Sequence, residues 1–466
     1  MKNKIFTEKL KVVNIGLESF MKGLNDGGID AVNTEFKPPL ISDQKLSEKI
    51  KKNSAKIDKA NKKAFERVLS AKPVLVGMDI AINVIPGMKK DLLLHSGPPV
   101  KWKDMCGPTR GAIIGALIYE GRAKNPKEAE KLAASGKIKY APCHEHSAVG
   151  PMAGIISPSM PVFIVKNEKY GNYSYAILNS GLGKVLRYGA YSGEVIERLK
   201  WMERVLYPAL RDAIKEFGKI DLKVIAAQAL HMGDEVHNRN RAATSLFYRI
   251  IAPRIIKTSK DMEKAAAALD FINGNDHFFL NLSMALAKAS LDAARNIKDS
   301  SLVVVMARNG TEFGVQLSGM GDKWFTGPAP VPDALYFPGF SKKDANPDIG
   351  DSSITETNGF GGFAIAASPA IVQFVGGKAA DALNYTLKMY EITIGENNMY
   401  QIPYLDFRGS PTGIDVIKVV EKGILPFIDT GVAHKKPGIG QVGAGVLSAP
   451  AEPFIKAFEG FAKNLK

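Results

Sequence analysis

Cysteine is nearly missing: Cys106 and Cys143 are the two in 466 residues. That excludes a disulfide framework and a four-cysteine zinc site, and makes a reducing cytoplasm the expected setting. No apolar run approaches the roughly 18 residues of a membrane span, and the basic start, Met1 to Leu10, has no apolar stretch of the secretory kind, so no membrane partner is expected. Acidic residues are in deficit. The 47 Asp and Glu against 62 Lys and Arg leave a formal net charge of +15, which favours anionic partners without choosing among them. Internal repeats and low-complexity tails are also missing, and 45% apolar with 23% charged residues is the composition of a folded globular protein. The length suits several domains.

Nucleic acid is not an expected partner. The densest lysine run, Gln44 to Lys72, carries Lys51, Lys52, Lys56, Lys59, Lys62 and Lys63, interrupted by Ile57 and followed by Phe65. It lacks the interleaved aromatics of a stacking surface and reads as a solvated helix face.

The fold class expected is multidomain α/β: a Rossmann-like α/β domain (1–135), an α+β segment (136–192), a helical insert (193–297) and an α+β C-terminal domain (298–466). Lys11 to Ile15, Leu17 to Asp26 and Ile29 to Asn33 read as strand, helix and strand, a βαβ unit whose turn supplies only Gly16 and so lacks the three-glycine dinucleotide fingerprint. Val74 to Met78 and Leu92 to Leu94 read as further strands of the same layer. In the insert, Val195, Leu199, Met202, Leu206 and Leu210 recur at helical spacing. Leu302 to Ala307 and Thr311 to Leu317 flank Asn309-Gly310, a hairpin signal. The long Gly, Pro, Asp and Ser-rich stretch from Gly319 to Gly362 is of a length that builds or covers a site.

Histidine marks the candidate chemistry, because it titrates near neutrality. The segment from His231 to Arg241 is almost wholly polar. On one continuous helix His231, Asp234, Glu235, Asn238 and Arg241 share a face; if Gly233 ends a helix instead, Asp234 caps the next. Either arrangement can set a carboxylate beside an imidazole and a guanidinium, against the plainer reading of a solvated face. Cys143-His144-Glu145-His146 is a second polar cluster, balanced by its reading as a loop at a strand end. Cys106-Gly107-Pro108-Thr109-Arg110 opens a helix whose free N–H groups, with Thr109 and Arg110, form a candidate phosphate or carboxylate seat, against an ordinary capped helix. Arg308, Asn309 and Lys323 are further polar-pocket candidates, with turn chemistry as the alternative. Gly438 to Gly443 matches G-x-G-x-x-G, but Pro450 and Pro453 interrupt the helix that a dinucleotide site requires.

Taken together, several long strings resemble one family. They are Asn14-Ile15-Gly16-Leu17, His95-Ser96-Gly97-Pro98-Pro99, Val149-Gly150-Pro151-Met152-Ala153-Gly154, Met232-Gly233-Asp234-Glu235 with His237-Asn238-Arg239-Asn240, Ala307-Arg308-Asn309-Gly310-Thr311, and Asp344 to Ser352. The chain is similar over nearly its whole length to the AllG-like (YlbE-like) subunit family of oxamate carbamoyltransferase. The resemblance implies a cytoplasmic subunit of allantoin and purine catabolism that works with FdrA-like (AllF) and AllH-like subunits. The implied reaction moves a carbamoyl group between oxamate (as oxalurate) and phosphate, giving carbamoyl phosphate.

That chemistry needs cationic clamps for two anions, donors for an oxyanion and an acid for the departing nitrogen. His231, Glu235 and His237, with His146 in reserve, are the acid/base candidates. Arg110, Thr109, Arg239, Asn240, Arg241, Arg308, Asn309 and Lys323 are the candidates for substrate binding. No metal and no cofactor is expected, and self-association is left open. The competing readings are a non-catalytic scaffold or ligand-binding subunit of an FdrA-type complex, and a metal-dependent hydrolase.

Overall fold

The computed structural model describes residues 10–15, 19–34, 38–371 and 376–465. Its organising element is the helix Leu280–Asp292, in which every residue from Leu280 to Leu291 is buried. A helix apolar on all sides has to be enclosed by other layers. On one side lies a five-stranded sheet in the order Ala148–Val149, Tyr173–Ile177, Pro161–Asn167, Pro73–Ile80, Ile220–Asp221. Polar side chains fix the helix to that sheet: Asn281 Nδ2 donates to the Ile177 carbonyl (2.7 Å), Ser174 Oγ to the Ala285 carbonyl (2.6 Å) and Asn167 Nδ2 to the Ala289 carbonyl (3.1 Å).

The hairpin Val303–Asn309 and Glu312–Leu317 forms as its Asn-Gly turn predicts, with Gly310 at φ 81°. Phe325–Pro328 and Ile349–Gly350 extend it to four antiparallel strands. The helix Ala451–Asn464 buries Phe454, Phe458 and Phe461 in the second hydrophobic core, shared with Phe313, Val315 and Phe325 of this sheet. The strands Phe427–Ala433, Gln441–Ser448 and Ala334–Tyr336 form a separate antiparallel sheet. Gly438 to Gly443 therefore leads into a strand, not a helix.

The segment 193–297 is helical as its periodicity predicts, apart from the short strand Ile220–Asp221. The lysine run becomes the helices Gln44–Lys52, whose N-cap Asp43 accepts from Lys45 and Leu46, and Ser54–Ser70, which turns Ile57, Ala60, Ala64 and Val68 inward.

The expected Rossmann-like layer is where the fold departs from the sequence reading. The βαβ unit itself is present, with Lys11–Ile15 and Asp30–Thr34 parallel across the helix Ser19–Asp26; Gly16 and Leu17 lie outside the described residues. It forms a two-stranded sheet of its own. Pro73–Ile80 instead pairs antiparallel with Pro161–Asn167, and Leu92–His95 pairs in parallel with Lys139–Pro142, so the strands assigned to one layer occupy three sheets. These pairings cross the division expected near residue 135. Among the described residues no helix is long and apolar enough to cross a membrane.

Candidate functional site

Four of the polar strings close on one buried carboxylate. Asp351 accepts the Gly97 N–H on Oδ1 (2.8 Å) and the Gly150 N–H on Oδ2 (3.1 Å). Ser96 Oγ donates to the carbonyls of Met152 (2.6 Å) and Arg308 (3.2 Å). Gly97 has φ 76°, and a Cβ there would stand 2.3 Å from the Arg308 backbone, so only glycine fits the crossing. This knot ties the five-stranded sheet to the hairpin sheet. It is structural, and it fixes the ends of the loops that carry chemistry.

The segment after His231 is neither a continuous helix nor a solvated face. The helix Leu222–His231 ends at Met232, Gly233 turns at φ 92°, and a new helix, Arg241–Thr258, begins after Asn240. Asp234 then caps it from outside: Oδ2 accepts the Ala243 N–H at 2.8 Å. Between the helices the chain is a buried loop organised by Glu235, whose Oε2 accepts the His237 N–H (2.8 Å) and whose Oε1 accepts the Arg239 N–H. Val236, at its centre, has φ 65°. A β-branched residue in the left-handed region costs on the order of 1–3 kcal/mol, a strain that concentrates at functional sites.

The loop delivers His237 to Glu356. Nδ1 of the imidazole lies 2.6 Å from Glu356 Oε1, which leaves Nε2 without a hydrogen-bond partner among the described residues. The same Glu356 oxygen accepts the N–H groups of Gly362 (3.2 Å) and Asp429 (3.1 Å). Asp429 in turn accepts from Asn238 Nδ2, while its Oδ2 is buried without a partner. Burial pushes the Asp429 carboxyl up to about 7, with the Glu356 charge adding and His237 and Asn238 opposing. Burial, then the Asp429 charge, raises Glu235 well above the carboxylate range, and burial lifts Asp234 to about 7.

The same loop walls a pocket of about 280 Å³, lined by Asn238, Arg239, Asn240 and Arg241 together with Asp276 and His277. Asn240 Oδ1, Arg239 Nε and His277 Nδ1 are buried there without hydrogen-bond partners, Arg239 Nε standing 3.7 Å from Asp234 Oδ1. His277 is held down to about 3 by burial, with the Arg187 and His237 charges adding, so it is neutral at physiological pH. Arg187 is itself buried. It donates from Nε (3.0 Å) and Nη2 (2.8 Å) to the Gly181 carbonyl and faces no carboxylate among the described residues. Two guanidinium groups, a neutral imidazole and an unpaired amide oxygen form a place for a small anion that also carries an N–H, on the loop that holds the His237–Glu356 pair.

The other expected site residues lie elsewhere. His231 is exposed, its ring edge-on to Phe407, because the helix ends before it can face the pocket. His146 is bonded through Nδ1 to the Pro86 carbonyl (2.6 Å). Arg308 is fully buried and spends its guanidinium on Asp348 (2.6 and 3.1 Å), the Gly350 carbonyl (2.7 Å) and Thr430 (3.1 Å), so it pairs an internal carboxylate instead of a substrate. Asn309 holds its turn, accepting from Thr311 and Glu312 and donating to the Pro98 carbonyl. The helix Gly107–Tyr119 starts as expected, but the Lys435 carbonyl lies against Gly107, Thr109 faces Cys106 Sγ at 3.2 Å, and Arg110 bonds the Lys103 carbonyl beneath Trp102. Lys323 is exposed over Phe325. Glu235 holds the loop with both oxygens. Of the expected set, His237, Arg239, Asn240 and Arg241 are thus brought together.

Glu356, Asp429, His277 and Arg187 escaped the sequence reading. A carboxylate inside the apolar strand Phe427–Ala433 was the available signal for Asp429, because a buried strand carries one only where a partner is waiting. Among the described residues no group of three His, Cys, Asp or Glu is placed to hold a metal ion.

Comparison with known proteins agrees with the polar strings. Residues 138–352 match the family described as oxamate carbamoyltransferase subunit AllG. The uncharacterized protein YahG of Escherichia coli (strain K12) is 44% identical over 100% of this chain and 99% of its own length. A conserved protein of unknown function from Enterococcus faecalis V583, solved by crystallography, superposes with a TM-score of 0.87 at 49% identity, covering 88% of this chain and 99% of its own. The oxamate carbamoyltransferase subunit AllG of E. coli is 43% identical, over 88% of this chain and 98% of its own length. With that identity sustained along nearly all of a relative's length, the chain belongs to the AllG-like family.

Proposed function

We propose that this chain is a carbamoyltransferase subunit that moves a carbamoyl group between oxamate, as oxalurate, and phosphate, within allantoin and purine catabolism. One observation carries the assignment of the site: Arg239 and Asn240, from the string that marks the family, line one pocket with Arg241 and the neutral His277, on the same loop that pairs His237 with Glu356. In the catabolic direction a phosphate oxygen bonds to the ureido carbonyl carbon, the bond from that carbon to the oxamate nitrogen breaks, and the nitrogen takes a proton. Carbamoyl phosphate and oxamate leave. Arg239 and Arg241 hold the anions and offset their repulsion. The partnerless His277 Nδ1, as its N–H tautomer, and the Arg239 guanidinium supply hydrogen bonds to the developing oxyanion, Asn240 Oδ1 accepts from a ureido N–H, and His237 Nε2 delivers the proton while Glu356 fixes the ring and steadies its charge.

The relative named as a subunit supports a multi-subunit enzyme, and we take the partners to be FdrA-like (AllF) and AllH-like chains in the cytoplasm. The test is reconstitution: the three purified subunits, given oxalurate and phosphate, are expected to form carbamoyl phosphate, with none formed when this chain is left out. Absence of product from the complete assembly, or equal product without this chain, sinks the reading.

A further inference from the structure

The helix Leu280–Asp292 has a cavity at each end. The pocket beside His277 adjoins its start, and a larger chamber of about 880 Å³ opens where it finishes, on the order of 20 Å away at 1.5 Å per residue. None of the residues assigned above lines it.

The inner surface of this chamber is cationic. Lys288 reaches both Asp292 oxygens (2.9 and 2.8 Å), and Arg295 Nε bonds the same carboxylate at 2.6 Å. Arg67 adds a third positive charge, bonded to the Ala293 carbonyl and to no carboxylate. Three cations thus share one buried carboxylate, with Arg295 Nη1 also bonded to Asp322 (3.0 Å) and Nη2 to Gln316 (2.7 Å). The side chains of Asp322 and Glu145 are exposed at the rim, where water screens them. Burial holds Lys288 down to about 8, with Asp292 opposing and Arg295 adding. A second observation asks for a different kind of partner: Asn172 Oδ1 is buried with nothing to accept from, although its amide nitrogen is bonded to the Ala289 carbonyl at 2.9 Å. Tyr170, Tyr173 and Tyr175 supply aromatic surface to the same wall.

We propose that this chamber is a second ligand site, separate from the carbamoyl-transfer pocket, and that it takes an organic phosphate whose planar body carries an N–H donor. The phosphate meets Arg67, whose guanidinium is bonded to no carboxylate among the described residues, and at Arg295 takes the place of the exposed Asp322. The planar body lies on the tyrosines, and its N–H satisfies Asn172 Oδ1. Inorganic phosphate or a two-carbon acid would answer the charge but leave most of the volume, the aromatic wall and the orphaned acceptor unmet. Nucleoside monophosphates combine all three features, with base stacking of about 1–3 kcal/mol per aromatic contact.

Calorimetric titration of the full chain with AMP, and separately with inorganic phosphate, tests this. The expected result is saturable AMP binding, at least tenfold tighter than inorganic phosphate. Arg67→Ala and Tyr173→Ala should each weaken it severalfold, and Arg239→Ala in the other pocket should leave it unchanged. Both chamber residues are partly exposed, so the variants keep the fold, which thermal unfolding verifies. The proposal is overturned by no saturable AMP binding at millimolar concentration, by inorganic phosphate binding as tightly as AMP, or by binding that survives Arg67→Ala and is lost in Arg239→Ala. Carbamoyl phosphate formation by the reconstituted enzyme is read in a separate assay, so either proposal can fail without the other.

Discussion

His237 and Glu356 are 119 residues apart in the chain, yet Nδ1 and Oε1 meet at 2.6 Å in a buried environment. The carboxylate fixes the ring orientation and stabilises the imidazolium that forms in proton transfer. Replacing Glu356 with Gln keeps the size and removes the charge. The expected outcome in the three-subunit enzyme is a fall in kcat of about 10²–10⁴-fold, the usual worth of general acid–base catalysis, with KM for oxalurate changed only a few-fold. Raised KM at unchanged kcat would assign Glu356 to binding instead.

Arg239 and Arg241 line the pocket, with ion pairs of 3.7 Å to Asp234 and Asp276 respectively. These are loose contacts that an incoming anion can outcompete. Arg239→Ala is expected to raise KM for phosphate about tenfold, equivalent to about 1.4 kcal/mol. Arg239→Lys should recover only part of the loss, because an ammonium cannot present a two-pronged donor to a phosphate. Steady-state kinetics with phosphate varied decides it, and a lowered kcat at constant KM would be the contrary result.

What could be read from the sequence follows from how far apart the interacting residues lie. The hairpin at Asn309-Gly310 and the helix start at Pro108 depend on neighbours, and both form where local chemistry puts them. Gly233 decided between two readings of the 231–241 segment: by ending the helix it sends His231 to solvent and turns His237 inward. No local rule could pair Pro73–Ile80 with Pro161–Asn167, or give Arg308 to Asp348 across 40 residues. The expected grouping of Arg110, Arg308 and His231 in one cavity failed for that reason. Each has a polar or charged character that suits a site, but Arg308 is spent on a carboxylate that only the tertiary fold supplies, Arg110 on the nearby Lys103 carbonyl, and His231 faces solvent. The stretch from Gly319 to Gly362 supplies Asp348 and Asp351 to structural contacts and Glu356 to His237, although its composition did not say which of its residues would do so.

Asp429 links the site to pH. Its carboxyl is raised from the ordinary value to about 7 in the folded protein, so between about pH 4 and 7 the folded chain holds a proton that the unfolded chain has released. Stability from this group is therefore present at the acid end of that window and is lost as pH rises toward 7. Asp429→Asn keeps an acceptor for Asn238 and removes the titration. The difference in stability between wild type and this variant, measured by urea unfolding at pH 5 and pH 7.5, is expected to move in favour of the variant at the higher pH. A difference that stays constant, or moves the other way, would mean that Asp429 is ionised throughout.

Arg308 offers a sharp contrast between a structural and a substrate-binding cation. Its side chain and that of Asp348 are both fully buried, with Nε to Oδ2 at 2.6 Å. Breaking such a pair from one side leaves an uncompensated carboxylate, which typically costs about 3–5 kcal/mol. Arg308→Met should therefore lower the urea midpoint substantially. Arg308→Met with Asp348→Asn should recover a good part of the loss, because the stranded charge is gone even though the bonds to Gly350 and Thr430 are not restored. A substrate clamp would behave in the opposite way: the single variant would fold with near wild-type stability, show a raised KM for phosphate or oxalurate, and gain nothing from the second substitution. Unfolding curves of the two variants beside wild type distinguish these outcomes without any assay of turnover.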